Sequence, residues 1–349
     1  MQLEHVKLKR WFLKQKRDLP WRETGDPYAI WVSEIMLQQT QVSVVIPYYE
    51  KWMKAFPTIK DLSSSSLDSV IKNWEGLGYY SRARNLHEGA RFVLEQHGGN
   101  LPDNEDSLKK IKGIGPYTVG AIMSFAFHKK KAAVDGNVIR VLTRVFDIHD
   151  DVAKPKTINN IRELTEQVLP DDEPWIVMEA LIELGATICT KKPKCLSCPL
   201  NITCKGFLHA TADLLPSKST KFKTEILYRN VLVISAENKF LVKRGKPGQI
   251  MSGLYEFPFI ETKIKEDNSP LDQSLHMNLP LLKIEDLEEV THSFTRFKAI
   301  LKPSFFISKK MQPLEDHEWL TIEELNQFAF SSGHKKIFDS IKNKLYLLK

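Results

Sequence analysis

A mainly helical domain followed by a smaller α+β domain is the fold that these 349 residues predict, and three observations carry it. Apolar residues recur at helical spacing through most of the first two-thirds, with few strand signals before residue 220. Between Gly206 and Thr224 the pattern lapses into small, polar and basic residues around Pro216, as a linker does. Beyond it, Ile226 to Ser235 and Lys239 to Val242 read as a hairpin about Glu237-Asn238. Further strands are expected at Val290 to Thr295 and Lys298 to Ile307, with closing helices at Ile322 to Gln327 and Lys335 to Leu345. The expected bounds are 1–206 for the helical domain with a four-cysteine loop at its end, 207–224 for the linker and 225–349 for the α+β domain. Two domains also match what a chain of this length usually holds.

The apolar fraction of 42% is that of a globular chain. A formal charge of +7 and a pI near 9.0 favour an anionic partner such as nucleic acid. No run of about 18 or more apolar residues exists to span a bilayer. The N-terminal MQLEHVKLKRWFLKQKR reads as an amphipathic helix without the uninterrupted apolar core of a signal peptide. An intracellular, cytoplasmic monomer associated with DNA and not with a membrane is therefore expected.

In chain order, Asp26-Pro27 supplies an N-cap and a first-turn proline for a helix through Tyr28 to Gln39. Glu34 sits in its middle among Ile30, Ile35, Met36 and Leu37, where a carboxyl could be partly desolvated and have its pKa raised, as a general acid requires. Spacing alone favours a solvated glutamate on a helix face. A helix over Val42 to Ala55 follows, and the serines Ser63 to Ser66 with Asp68 resemble a capping box before Val70 to Trp74. Gly76-Leu77-Gly78 ends that helix. Tyr79, Tyr80, Arg82 and Arg84 then interleave aromatic and basic residues, a face that could clasp DNA or simply divide between core and solvent.

From Ile111 to Gly115 the chain reads apolar-Lys-Gly-Ile-Gly, followed by Pro116. Gly113 and Gly115 permit a sharp turn and close approach to a ligand, and the amides at the start of the next helix could hold a phosphate. This is how a helix-hairpin-helix grips DNA without reading bases; an ordinary Gly-Pro turn between core helices is the plainer alternative. Past a basic run, Lys129 to Lys131, the segment Val134-Asp135-Gly136-Asn137 places a carboxylate in a turn beside a helix start. Asp135 is then either a cap or a site residue. Helical pattern continues through Val141 to Phe146, Ile158 to Leu169 and Trp175 to Ile188.

All four cysteines follow, as Cys189-x5-Cys195-x2-Cys198-x5-Cys204, with Lys191, Lys192, Lys194 and Lys205 around them. This spacing suits one metal site in a reducing compartment better than two tiny disulfide loops. Four thiolates can bind zinc or a [4Fe-4S] cluster, and residue type alone does not choose between them.

Three matches in order, SEIMLQQTQV at residues 33–42, the hairpin and VDGN segments at 111–137, and the cysteine set, resemble the adenine DNA glycosylases of the MutY family. The resemblance extends through Gly253-Leu254-Tyr255-Glu256-Phe257-Pro258 into a C-terminal domain similar to MutT-type Nudix folds. It implies a monofunctional enzyme that excises adenine mispaired with 8-oxoguanine or guanine in double-stranded DNA and carries a [4Fe-4S] cluster, with zinc the alternative. It gives Glu34 the role of acid at adenine N7 and Asp135 that of stabilising the sugar cation or acting as nucleophile. Asn137 orients these groups, and Tyr117 holds Asp135 and the sugar. Gln39 and Tyr79 fill the space around the flipped base and its partner, and Cys189, Cys195, Cys198 and Cys204 are the cluster ligands.

Two departures from the family pattern stand out. The first cysteine gap is five residues where the family usually has six, so a tighter loop is expected. The Phe-Ser-His segment that inspects 8-oxoguanine reads Phe294-Thr295-Arg296 here. A threonine hydroxyl can accept from N7–H of the lesion and donate to O8, whereas arginine only donates and is expected to serve DNA of any sequence. A Glu-rich Nudix box is missing after Gly253, so nucleotide hydrolysis is not expected. A thymine-removing relative and a non-catalytic metal-containing DNA-binding protein are the competing readings. Tyrosine at position 117, where lyase relatives carry lysine, and the joint presence of Glu34 and Asp135 oppose lyase chemistry and silence respectively.

Overall fold

The structure, a computed structural model, describes residues 3–219, 224–246, 248–262 and 279–347, with side chains to residue 343. The chain divides into two compact units, Met1–Ser64 with Arg84–Lys221, and Ser65–Ala83 with Phe222–Lys349. Among the described residues no helix is long and apolar enough to cross a membrane.

The first unit is helical. It contains α1 (His5–Gln15), α2 (Pro27–Leu37), α3 (Val42–Ala55) and α4 (Ile59–Ser64). Next in the chain, α5 (Leu67–Trp74) lies in the second unit and α6 (Ser81–His97) begins there. The first unit resumes with α7 (Glu105–Leu108), α8 (Pro116–Ala121), which runs on as one π turn over Ile122–Ala126, α9 (Gly136–Phe146), α10 (Pro155–Val168), α11 (Pro174–Thr187) and α12 (Lys205–Leu208).

Local chemistry explains most helix starts. Asp26 caps α2 by accepting from the amides of Tyr28 and Ala29 at 3.0 and 3.3 Å, with Pro27 in the first turn. Every residue from Tyr28 to Met36 is buried, so α2 is a central helix packed on all sides and not an amphipathic surface one. At the serine run, α4 ends at Ser64 and Ser66 alone caps α5, accepting from the Ser69 amide at 3.2 Å. The expected capping box is thus a single cap, because its third helical position is a serine with no reach back to the cap amide. On α9, Val138, Val141, Leu142 and Val145 pack into one core with Val177, Met178, Leu181 and Leu184 of α11. Part of the expected linker is held: the Val152 amide donates to Ser217 O at 3.0 Å, and the Ser219 amide to Asp151 Oδ1 at 3.2 Å. Residues 220–223 of that linker lie outside the described residues.

The second unit is built on a mixed sheet of β1 (Glu225–Ala236), β2 (Lys239–Arg244), β3 (Tyr255–Glu256), β4 (Phe259–Thr262), β5 (Leu281–Asp286), β6 (Val290–Phe294), β7 (Phe297–Ser308) and β8 (His317–Thr321). Helices α13 (Ile322–Gln327) and α14 (Ser332–Leu347) follow. The β1–β2 hairpin turns at Glu237 and Asn238, both at positive φ of 47° and 62°, the geometry whose twist suits a two-residue hairpin. β1 also runs parallel to β7, from Glu225 opposite Phe297 to Ser235 opposite Ile307. With period-two alternation, Val231, Val233, Phe240 and Val242 face a core shared with Ile337, Phe338 and Ile341 of α14. Leu232, Ile234, Leu241 and Phe306 form a second cluster on the other face. Residues 65–83 are tied into this unit by the Phe330 amide donating to Glu75 at 2.8 Å and by Lys72 donating to Phe328 O at 2.8 Å.

Candidate active site

A cavity of about 660 Å³ opens in the first unit, within the size range of a small-molecule site. Its wall includes Trp21, Arg22, Glu34, Gln39, Tyr117, Asp135, Gly136, Asn137 and Glu179. Three segments far apart in sequence, α2, the start of α8 and the start of α9, thereby bring the expected Glu34, Tyr117, Asp135 and Asn137 to one place.

Glu34 is only 6% exposed, so the solvated-face alternative is set aside. Burial pushes its carboxyl up to about 7, the nearby Asp135 and Glu179 carboxyls add to the rise, and the Tyr117 hydroxyl and Arg22 restrain it. The Tyr117 hydroxyl donates to Glu34 Oε2 at 2.6 Å. Burial, with both carboxylates close by, raises the phenol well above its ordinary value, so Tyr117 is a neutral donor.

Asp135 is the N-cap of α9. Its Oδ1 accepts from the amides of Asn137 and Val138 at 2.9 and 2.8 Å, and its Oδ2 from the Asn137 side-chain amide at 2.7 Å. Burial holds the carboxyl above its ordinary value, and these three hydrogen bonds oppose the rise. The capping bonds hold Asp135 at the cavity wall. Asn137 is held in turn: its Oδ1 accepts from Arg140 Nη2 at 2.7 Å, and Arg140 also donates to Gly185 O at 2.8 Å and Cys189 O at 2.7 Å. A Cβ on Gly185 would stand 2.5 Å from that of Asn137, so glycine there is what lets α11 approach the Asp135–Asn137 turn.

Sequence reasoning missed the charged wall opposite. Arg22 pairs with Glu179 at 3.0 Å and with the fully buried Glu183 at 2.8 Å, and Arg17 pairs with Glu183 at 2.7 Å. Burial raises the Glu179 carboxyl even against Arg22. Nothing local signals this network, because its partners are separated by more than 150 residues; only Pro20-Trp21-Arg22 as a short turn was there to notice. His128 stacks on Trp175 at 4.3 Å on the same cavity wall.

The hairpin expected to grip DNA takes the predicted form. Gly113 has φ of +83° and a Cβ there would meet Asn85 at 2.8 Å, while Gly115 is the N-cap of α8, followed by Pro116. In the basic run beside it, Lys129 pairs with Asp103, Lys130 with Asp171, and Lys131 with Glu105 and Glu166. Its charge is locally neutralised.

Gln39 lines the cavity at a positive φ of 58°. In the second unit, Tyr79 is 42% exposed at a positive φ of 48°, before the start of α6. Arg82 corrects its expected role. It is 8% exposed, lies over the Trp74 and Tyr79 rings at 5.2 and 5.6 Å, and donates to Leu77 O and Gly78 O at 3.3 and 3.1 Å. It therefore builds the turn that presents Tyr79 and offers no charge to a phosphate.

Phe294, Thr295 and Arg296 form the tip of the β6–β7 hairpin, with Phe294 opposite Phe297. The expected strand through Thr295 stops one residue early, because Thr295 takes a positive φ of 49° that no strand allows. Thr295 and Arg296 are both exposed turn residues, so strand alternation does not divide them between faces. Phe294 stacks on His292 at 4.9 Å, and Arg296 lies over Phe297 at 5.0 Å.

All four cysteines are free thiols and line one small cavity. The shortened first loop is closed by the Lys194 amide donating to Ile188 O at 3.0 Å and the Thr190 hydroxyl to Lys192 O at 2.7 Å. Arg144 Nη1 lies 3.3 Å from Cys189 Sγ. Burial pushes the Cys198 thiol up to about 12. Among the described residues no three His, Cys, Asp or Glu side chains are arranged to hold a single metal ion.

Comparisons with known proteins identify the family. A family model described as the HhH-GPD superfamily of base excision DNA repair proteins matches residues 32–167, and one described as a NUDIX domain matches residues 230–340. The adenine DNA glycosylase of Rattus norvegicus is 35% identical over 94% of this chain and 76% of its own length. That of Buchnera aphidicola subsp. Baizongia pistaciae is 35% identical over 94% of this chain and 93% of its own. Among solved structures, a thermostable thymine-DNA glycosylase superposes with a TM-score of 0.54 at 30% identity, covering 59% of this chain and 95% of that one. Endonuclease III in a non-covalent DNA complex gives 0.51 at 22% identity over 59% of this chain and 94% of its own, a likeness of fold alone. A buried carboxyl poised over a cavity in a helix-hairpin-helix unit, and relatives aligned through both units, lead to one conclusion: the chain belongs to the adenine DNA glycosylases of the HhH-GPD superfamily and is a base-excision hydrolase acting on DNA.

Proposed function

We propose that the enzyme excises adenine paired with 8-oxoguanine, and more slowly adenine paired with guanine, with Glu34 as general acid and Asp135 as the group that meets the sugar cation. The observation that carries the reading is the buried Glu34 carboxyl, about half protonated near pH 7 and hydrogen-bonded to Tyr117 in the cavity it shares with Asp135. Adenine leaves readily only when protonated, and a base extruded from the stack can be protonated there by an acid within hydrogen-bond reach. Glu34 donates to N7. Adenine also presents an N6 amino donor beside that acceptor. The Glu179 carboxylate can accept from N6 while Arg22 holds Glu179 in place, which makes these two the base-selective wall.

As the C–N bond lengthens, positive charge grows on the sugar. Asp135, fixed by three hydrogen bonds, supplies the counter-charge or forms a transient glycosyl ester that water then opens. Tyr117 is neutral and has no amine for a Schiff base, so strand cleavage by lyase chemistry is not expected. The four thiols suit a [4Fe-4S] cluster held by Cys189, Cys195, Cys198 and Cys204, because four neighbouring thiolates need a positive centre to coexist in a part-buried cavity. Such a cluster supplies a cross-link for a basic loop without a core of its own.

Single-turnover excision from duplexes containing adenine opposite 8-oxoguanine, adenine opposite guanine, and thymine opposite guanine tests the reading. Fast release of adenine from the first, slower from the second and none of thymine from the third is expected. Preferred release of thymine would transfer the assignment to the thymine-removing relatives.

A further inference from the structure

We infer that Gly136 is a positioning residue whose missing side chain makes room for the deoxyribose ring of the extruded nucleotide against Asp135. This deepens the proposed function and rests on Asp135 meeting the sugar.

Glycines around the site fall into two kinds. A Cβ on Gly185 would stand 2.5 Å from Asn137 Cβ, and one on Gly120 would stand 2.0 Å from Ala132 O, so helix packing alone demands glycine at both. Gly136 has no such reason. A Cβ there meets nothing within 4 Å, and its φ lies outside the left-handed region that favours glycine. It is the first residue of α9, at a position where a small side chain would also fit.

Gly136 is exposed, and it lines the active-site cavity between Asp135 and Asn137. The Asp135 carboxylate is pinned by the amides of Asn137 and Val138, so it cannot retreat if the sugar is pushed away. A sugar close enough for Asp135 to stabilise its cation must pack on the neighbouring wall. A methyl group at 136 would hold the ring off by roughly the 3.5–4.0 Å that carbon contacts require.

Gly136→Ala and Gly136→Val test this in the full-length protein. Both should unfold at the wild-type temperature or above it, because nothing in the protein opposes the side chain. Single-turnover excision should fall about tenfold for alanine and a further tenfold or more for valine. The discriminating readout is binding to duplexes in which adenosine is replaced by a tetrahydrofuran abasic analogue or by a ringless propanediol spacer. Gly136→Val should lose affinity at least tenfold for the furan and less than twofold for the spacer. Excision within twofold of wild type overturns the inference, as do equal losses on both spacers or a lowered unfolding temperature, which mark a structural role. Asp135→Asn, assayed alongside, separates the two readings: undiminished excision by that variant refutes Asp135 as the sugar's counter-charge, whereas the furan-to-spacer ratio reports on Gly136 alone.

Discussion

Glu34→Gln should make this protein more stable while removing its activity. Glutamine keeps the size and can still accept from the Tyr117 hydroxyl, so the variant isolates the ionisable proton. In the folded chain burial raises the Glu34 carboxyl from 4.5 to about 7, and at 6% exposure solvent screening discounts this little. Because the folded-state value is the higher one, folding is favoured by protonation. The contribution is full below the unfolded value, declines as pH rises from about 4.5 to about 7, and is gone above. A rise of that size is worth about 3 kcal/mol at pH 8 and only about 1 kcal/mol of that cost is felt at pH 5. Glu34→Gln removes the cost, so urea unfolding followed by tryptophan fluorescence should show a gain of about 3 kcal/mol at pH 8 that shrinks to about 1 kcal/mol at pH 5. Excision should fall by about 100-fold or more as general-acid assistance is lost, with mispair binding retained. A variant no more stable than wild type at pH 8, or a gain independent of pH, would falsify the claim that desolvation holds this carboxyl near neutrality. Near-normal excision would sink its role as the acid.

The wild-type excision rate should be flat below about pH 7 and fall about tenfold per unit above it; Tyr117→Phe should move that limb to higher pH, because the hydroxyl's hydrogen bond restrains the Glu34 value, and a limb that stays put breaks the link. Gly185→Ala should cost about 1–3 kcal/mol in stability and slow excision together, since its Cβ would displace Asn137; unchanged kinetics would show that Asn137 is not positioned by this contact. Cys198→Ala should abolish a broad visible absorption and bound iron and lower DNA affinity before it alters chemistry; stoichiometric zinc without iron in wild-type protein would refute the cluster. Thr295→Ala should narrow the preference for 8-oxoguanine over guanine by about 1 kcal/mol, as expected of an exposed contact, while Arg296→Ala should weaken both duplexes alike and flatten the salt dependence. The opposite pattern would make arginine the reader.

Local features were legible in the sequence because their causes are local. Asp26 and Asp135 each cap the helix that begins beside them, and Glu237-Asn238 turns its hairpin through two left-handed residues. The resemblance at 111–137 likewise singled out Tyr117, Asp135 and Asn137, which the fold brings to one cavity. Tertiary structure decided whatever depends on what comes to lie opposite. By spacing alone Glu34 reads as a solvated helix-face residue; packing on every side of α2 made it a buried acid. Lys129 to Lys131 read only as a basic run, and carboxylates from elsewhere pair with each of them. Arg82 read as part of a face that could clasp DNA until Trp74, Tyr79 and two carbonyls enclosed it. The parallel pairing of β1 with β7 and the Arg22–Glu183 pair join residues far apart, and no periodicity encodes such partners. Gly136 and Gly185 are the same letter in the sequence. Only the coordinates of their neighbours show that one glycine is required by packing, whereas the other leaves space that the protein itself does not fill.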